Sequence, residues 1–297
     1  MNIGFIGAGK AGTALGRYLV DCNQKVVGYA SATYASAQDA ASFTNSRVFS
    51  SAAELAQASD LIFITTPDGV ISSVWKELRE VHRNNESVLT SKIIAHCSGC
   101  CASDIFEGAH KIGIPVCSVH PLLAFGDKEI AHLQVARAHF SVEGDEKALS
   151  IIIPLFEDLG NSVHLIKATD KTRYHAAAVF ASNLVLSPLE NATELLKQCG
   201  FTEDDARDAL RPLVYGNIEN FFNLGAAASL TGPVERNDLS TVSDHLHSLD
   251  DKRAALYRAL TWSLIDIAKR KYPSRTYDAW GSVLGERLFN SRFSKYR

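Results

Sequence analysis

Lys171, Tyr174, His175, Ser182 and Asn183 stand within the stretch KTRYHAAAVFASN, whose other residues are mostly Ala, Val and Phe. An amine, a phenol, an imidazole, a hydroxyl and an amide are the groups that hold a substrate oxygen and hand it a proton. At 3.6 residues per turn, Lys171, His175, Val179 and Asn183 stack along one helical face, with Tyr174, Ala178 and Ser182 in the neighbouring row. Such a polar stripe is either a row of satisfied core groups or the wall of a site, because an unused buried polar row costs stability. Spacing alone leaves both readings open. Histidine suits the donor role, since its ordinary pKa near ~6.5 leaves the protonated form available at neutral pH.

A second constellation opens the chain. Gly7-Ala8-Gly9-Lys10-Ala11-Gly12 is G-x-G-x-x-G directly after an apolar run and before a helical one. The first Gly permits the tight turn, the second lets a pyrophosphate approach the backbone, and the third packs helix against strand. A dinucleotide is the expected ligand. An acid that would hold the ribose hydroxyls of NAD belongs ~20 residues further on, but that region reads Gly28-Tyr29-Ala30-Ser31-Ala32-Thr33. Ser31 and Thr33 can donate to a 2′-phosphate and nothing there repels it, so NADP(H) is favoured over NAD. Thr66 and Pro67, past another apolar run, are placed with the same cofactor.

Three further clusters carry groups that could do chemistry. In His96-Cys97-Ser98-Gly99-Cys100-Cys101 the C-x-x-C spacing invites a metal, but no second pair follows to complete a zinc site, and none is expected. Small residues after a strand let the backbone lie close to a nicotinamide, and His96 and Ser98 are candidates for the cofactor or substrate pocket. His120 precedes Pro121 at another strand end, where it either has a substrate or catalytic role or only shapes the turn. In Thr231-Gly232-Pro233-Val234-Glu235-Arg236-Asn237-Asp238, Arg236 can grip a carboxylate in bidentate fashion. Asp238 or Ser240 can cap the following helix. Thr231, Arg236 and Asp238 join Tyr174 and Ser182 as expected substrate contacts.

Those groups need a scaffold. The 297 residues include 46% hydrophobic and 21% charged, enough apolar material for a core in each of two domains. Short apolar runs at 2–6, 25–29, 60–65, 92–95, 114–119, 138–142 and 162–165 alternate with helical stretches through the first half. That alternation predicts an α/β Rossmann-like domain with a mostly parallel sheet over residues 1–166. Beyond it, residues 167–297 predict an all-α domain: one long helix over 169–199 kinked at Pro188, then helices over 202–224, 240–247 and 252–271. The formal net charge of −3 offers nothing to nucleic acid, and no apolar run reaches the ~18 residues of a membrane span. With strand and turn already at the first residues and six cysteines read as reduced thiols, a cytoplasmic protein is expected.

Taken together, the G-x-G-x-x-G turn, H-C-S-G, H-P-L, Y-H-A-A-A-x-x-x-S-N and T-G-P-x-x-R-x-D resemble a bacterial family among the 6-phosphogluconate-dehydrogenase-like reductases. In that family a Rossmann-like domain precedes a helical domain of long-unknown function, and some members resemble or serve as an alternative ketopantoate reductase. The resemblance implies NADPH-dependent hydride transfer to a small keto acid, 2-dehydropantoate above all, with substrate between the domains. Relatives in the superfamily set a Lys and an Asn on the first long helix of the second domain. Here Lys171 lies four residues before His175 rather than before an Asn, which leaves Lys171 or His175 as the proton donor and Asn183 to orient the oxygen. Two rivals stand beside this reading: a reductase of another keto or imino acid, and an NADP-binding sensor without turnover. The Leu- and Ala-rich helical half further suggests a homodimer.

Overall fold

Leu61, Ile62, Phe63 and Ile64 have no exposed surface, and the run at 93–96 is buried throughout. A strand buried on both faces belongs inside a sheet covered by helices on either side. The computed structural model describes residues 1–285 and shows this arrangement. Two compact units divide the chain, Met1–Val185 and Leu186–Arg297.

The first unit runs β1 (Asn2–Ile6), α1 (Lys10–Asp21), β2 (Lys25–Ala30), α2 (Tyr34–Thr44), β3 (Arg47–Val48), α3 (Ala52–Ala58), β4 (Leu61–Ile64), α4 (Asp68–Asn84), β5 (Ile93–His96), β6 (Val116–Pro121), α5 (Lys128–Val135), β7 (Phe140–Gly144), α6 (Glu146–Glu157), β8 (Val163–Leu165) and α7 (Lys171–Ala181). The strands form one sheet in the order β3-β2-β1-β4-β5-β6-β7-β8. Every pairing is parallel except β6 with β7, where Val119 faces Val142 in an antiparallel register. Side chains alternate across the sheet with period two. Ile3, Phe5, Leu61 and Phe63 enter one core, with Phe5 stacked on Tyr29 at 5.2 Å and on Phe63 at 5.4 Å. Ile6, Ile62, Ile64 and Ile94 enter the other, around Trp75. Because β1 lies between β2 and β4, the strand order reverses there, and the crevice beyond the carboxyl ends of those strands is where such sheets bind ligands.

The second unit holds α8 (Leu186–Gln198), α9 (Glu203–Ser229), α10 (Pro233–Arg236), α11 (Leu239–Ser248), α12 (Asp251–Lys271) and α13 (Trp280–Leu284). Its core gathers Val242, Leu246, Ile265, Ala268 and Trp280. Along α9, by contrast, Leu213, Tyr215, Phe221, Phe222 and Leu224 are each at least half exposed, Phe222 at 77%.

The two-residue β3 escaped the sequence pattern because it has no apolar run to betray it. The single helix expected over 169–199 is in fact two. Ser182 leaves helical geometry at φ −126°, ψ −79°, and a short 3-10 turn, Asn183–Val185, separates α7 from α8. Pro188 therefore causes no kink. It sits in the first turn of α8, where the missing N–H would have had no helical partner. The compact units part between Val185 and Leu186, and the amine of Lys171 is tied down within the first of them. No described helix is long and apolar enough to cross a membrane.

Candidate active site

The Gly-rich turn divides its glycines by task. Gly7 has φ +106°, and a Cβ there would come within 2.8 Å of the Thr65 and Thr66 backbone. At Gly12 a Cβ would lie 2.3 Å from the Thr65 hydroxyl and 2.7 Å from the Gly7 carbonyl. At Gly9 it would meet nothing within 4 Å. Packing thus explains the first and third glycines and leaves the second beside open space, next to the start of α1, which has no side-chain cap. Free N–H groups at a helix N-terminus favour an anion. The buried Thr66 hydroxyl near Gly7 has no hydrogen-bond partner, a second group that a bound molecule would satisfy. These residues fit a dinucleotide. Ala8 and Ala11 are half-buried, while Lys10 and Pro67 are exposed. Ser31 follows β2 half-buried, with no acid beside it, and the Thr33 hydroxyl accepts from the Ser36 N–H to cap α2.

Beyond β5 the turn is shaped from inside. His96 is fully buried, and its Nδ1 accepts from the Ser98 N–H at 3.1 Å. That fixes the proton on Nε2, which donates to the Ala102 carbonyl at 3.2 Å. Burial brings the imidazole down to about 4, so it is neutral at physiological pH. The Ser98 hydroxyl accepts from the Cys100 and Cys101 N–H groups at 3.2 and 2.9 Å. Both side chains are occupied in holding the turn. Burial pushes the Cys97 thiol up to about 12, the reverse of what a thiolate ligand needs. Among the described residues no three metal-ligating side chains come together.

Lys171, at the first position of α7, is 1% exposed. Its amine donates to the Ser98 carbonyl at 2.8 Å and to the Ser118 hydroxyl at 2.7 Å, and burial pulls its pKa down. It clamps the turn after β5 and the strand β6 to α7. One turn further along, Tyr174 and His175 are half-buried beside the same loop. The Tyr174 hydroxyl lies 2.7 Å from His120 Nδ1, and burial keeps the phenol protonated. The rings of His120 and His175 meet edge-on at 6.3 Å. Gly99 lies between them: a Cβ there would sit 2.6 Å from His175 Nδ1 and 2.8 Å from His120 Nε2. His175 Nδ1 is buried without a partner. Burial first, then the charges of Lys171, His175 and His96, lowers His120 to about 4. Two imidazoles with nitrogens aimed at one small residue, one of them backed by a phenol, can hold a carbonyl oxygen and exchange a proton with it.

Other expected residues fall elsewhere. Ser182 and Asn183 are exposed past the end of α7, and the Ser182 hydroxyl donates to the Ala178 carbonyl and to Asn183 Oδ1. In the second unit, Thr231 and Arg236 are exposed. Asp238 caps α11, accepting from the Thr241 N–H and from both the Thr241 and Ser240 hydroxyls, which hold its carboxyl at about 2. Sequence reasoning missed Gly99 as a spacer and Ser118 as the acceptor for Lys171. It also missed Glu143, a buried carboxylate that accepts from the Ser103 N–H and hydroxyl. A small residue between two polar ones was the signal for Gly99; the other two had none.

Residues 1–121 match the family model of a Rossmann-like domain, and residues 138–264 match that of a domain of unknown function, DUF2520. No curated protein matches the chain. Among solved structures, BF3122 of Bacteroides fragilis, which carries the name NADP oxidoreductase, is similar at 23% identity and a TM-score of 0.70, over 89% of this chain and 98% of that one. Protein TM1727 of Thermotoga maritima follows at 23% and 0.68, over 91% and 99%. A pyrroline carboxylate reductase of Plasmodium falciparum, solved with NADP bound, is similar at 17% and 0.58, over 91% and 96%. The chain shares their fold.

Proposed function

We propose that this protein is an NADP(H)-dependent reductase of a small keto acid, with 2-dehydropantoate the first substrate to test. The observation that carries the reading is the convergence of His120 and His175 on Gly99, at the carboxyl end of a strand in the sheet that carries the Gly-rich turn. The NADP named for two of the solved structures of the same fold, and the absence of an acid after β2, support NADP(H).

Gly9, the start of α1 and Thr66 would hold the cofactor's phosphates, with Gly7 and Gly12 shaping the turn, and Ser31 would hold the 2′-phosphate. Bound NADPH supplies the hydride. His175 then gives the carbonyl oxygen its proton as the alkoxide forms, through an Nδ1 that no protein group occupies. His120, neutral and braced by the Tyr174 hydroxyl, steadies the same oxygen. Lys171 keeps the loop and helix in register and has already committed two of its N–H groups, which favours His175 as the donor. Asn183, exposed in the same unit as His175, would receive the substrate's carboxylate or a hydroxyl.

A second reading, reduction of a C=N bond in a cyclic imino acid, draws support from the pyrroline carboxylate reductase of the same fold. NADPH oxidation by the purified chain with 2-dehydropantoate, and separately with pyrroline-5-carboxylate, separates the two. Saturable turnover with the keto acid, and little with NADH, is the expected result; turnover with the imino acid alone would favour the second reading. We also propose a homodimer covering the exposed apolar side chains of α9. Light scattering should give twice the monomer mass, and a monomer would refute it. Six free cysteines accord with a reducing, cytoplasmic setting.

A further inference from the structure

At the far end of α4 from the Gly-rich turn lies an open cavity of about 680 Å³, lined by the last turn of that helix and the turns before β5 and β6. Its lining residues on α4, Arg79 to Arg83, lie roughly 17–22 Å along the helix from its start at Asp68. It belongs to the amino-terminal edge of the strands, opposite the crevice assigned to the cofactor. Arg79 and Arg83 on α4 and Lys111 from the turn before β6 line it together. None of the three is within ion-pair distance of an acid among the described residues, although Glu86 and Glu107 line the same space.

Cations at the carboxyl end of a helix offset its dipole, which accounts for Arg83. It does not account for Lys111, which comes from another element, nor for an excess of three cations over the two acids of the same lining. Arg79 is also fixed in place. One of its guanidinium nitrogens donates to the Glu107 carbonyl at 2.6 Å, and a Cβ on Gly108, at φ +78°, would lie 2.9 Å from the same nitrogen. His82 lines the same cavity at 8% exposure.

We propose that this cavity is a second ligand site that takes a phosphate ester of a hydroxylated molecule, separate from the dinucleotide. Arg79, Arg83 and Lys111 would receive the phosphate, and the carboxylates of Glu86 and Glu107 would accept from hydroxyls on the esterified part. A cavity of this volume suits a ligand of sugar-phosphate or nucleoside-phosphate size. The carboxylates argue against a bare polyanion.

Isothermal titration of the full chain with ribose 5-phosphate, once with excess NADPH present and once without, tests this. One saturable site of the same affinity in both titrations is expected, with weaker binding of inorganic phosphate. Arg83→Ala and Lys111→Ala, both at exposed positions, should each weaken it by about tenfold or more. Glu107→Gln should narrow the preference for the ester over inorganic phosphate. Absence of saturable binding, displacement by NADPH, or unchanged affinity in both cation variants would overturn the proposal. Equal affinity for ribose 5-phosphate and inorganic phosphate would overturn the assignment of an ester. The titration without NADPH keeps the result independent of whether the chain is a reductase.

Discussion

At its first turn, α7 buries Lys171 completely and spends the amine on Ser98 and Ser118. Past its last turn, Ser182 and Asn183 are exposed and bonded mainly to each other and to the helix's own backbone. Between these ends stand Tyr174 and His175, half-buried, with His175 Nδ1 unpartnered. Polar residues that a helical wheel places on one side of a helix therefore face three environments. The buried end is fully satisfied, the middle keeps an unpartnered nitrogen, and the far end is exposed. Side-chain type does not separate these tasks; depth and satisfaction do.

Substitutions along the helix can break that gradient. The largest effect belongs to the middle: His175→Ala should lower turnover by ~10²–10⁴-fold in a steady-state assay while leaving thermal stability nearly unchanged, since no protein partner is orphaned. Gly99→Ala should cost about a hundredfold, because the added methyl must displace both imidazole nitrogens from positions 2.6 and 2.8 Å away. An undiminished rate in Gly99→Ala would show that the convergence of the two rings has no functional weight.

At the buried end the readout changes from rate to stability. Lys171→Ala leaves a hole and two acceptors without their donor, and should cost about 3 kcal/mol in denaturant unfolding. His96 supplies a related test through pH. Its folded value of about 4 lies below the ~6.5 of an unfolded histidine, so folding favours the neutral form. The stability it contributes is full above about pH 6.5 and is lost as pH falls through that value towards 4, by up to ~3 kcal/mol. Unfolding curves at pH 7, 5.5 and 4 should show the loss, and His96→Gln should flatten it. The smallest effect lies at the exposed end. Asn183→Ala removes at most one substrate hydrogen bond, worth ~1 kcal/mol or about fivefold in kcat/KM.

Much of the scaffold was written plainly in the sequence. The runs at 2–6 and 60–65 are apolar and bounded by turn residues, and the Gly-rich turn between strand and helix admits few other uses. The helix break at Ser182 was not legible, because Ala, Ser and Asn there continue a helical pattern while Pro188, the obvious breaker, is harmless in a first turn. Of the candidate site, the residue types were readable and their depth was not. Lys171, a residue usually at the surface, is buried only because Ser98 and Ser118, far away in sequence, offer acceptors at one point. His96 and His120 look alike in the chain. One is sealed inside its turn, and the other meets Tyr174 and His175, a distinction made by the sheet alone.

The most direct test is NADPH oxidation with 2-dehydropantoate by His175→Ala in the absence and presence of added imidazole. If His175 gives the proton, the variant is folded, slow, and partly restored by imidazole, which can enter the space the side chain has left. A His175→Ala enzyme that turns over at the wild-type rate without imidazole would contradict that assignment and remove the chemical role of the α7 midpoint.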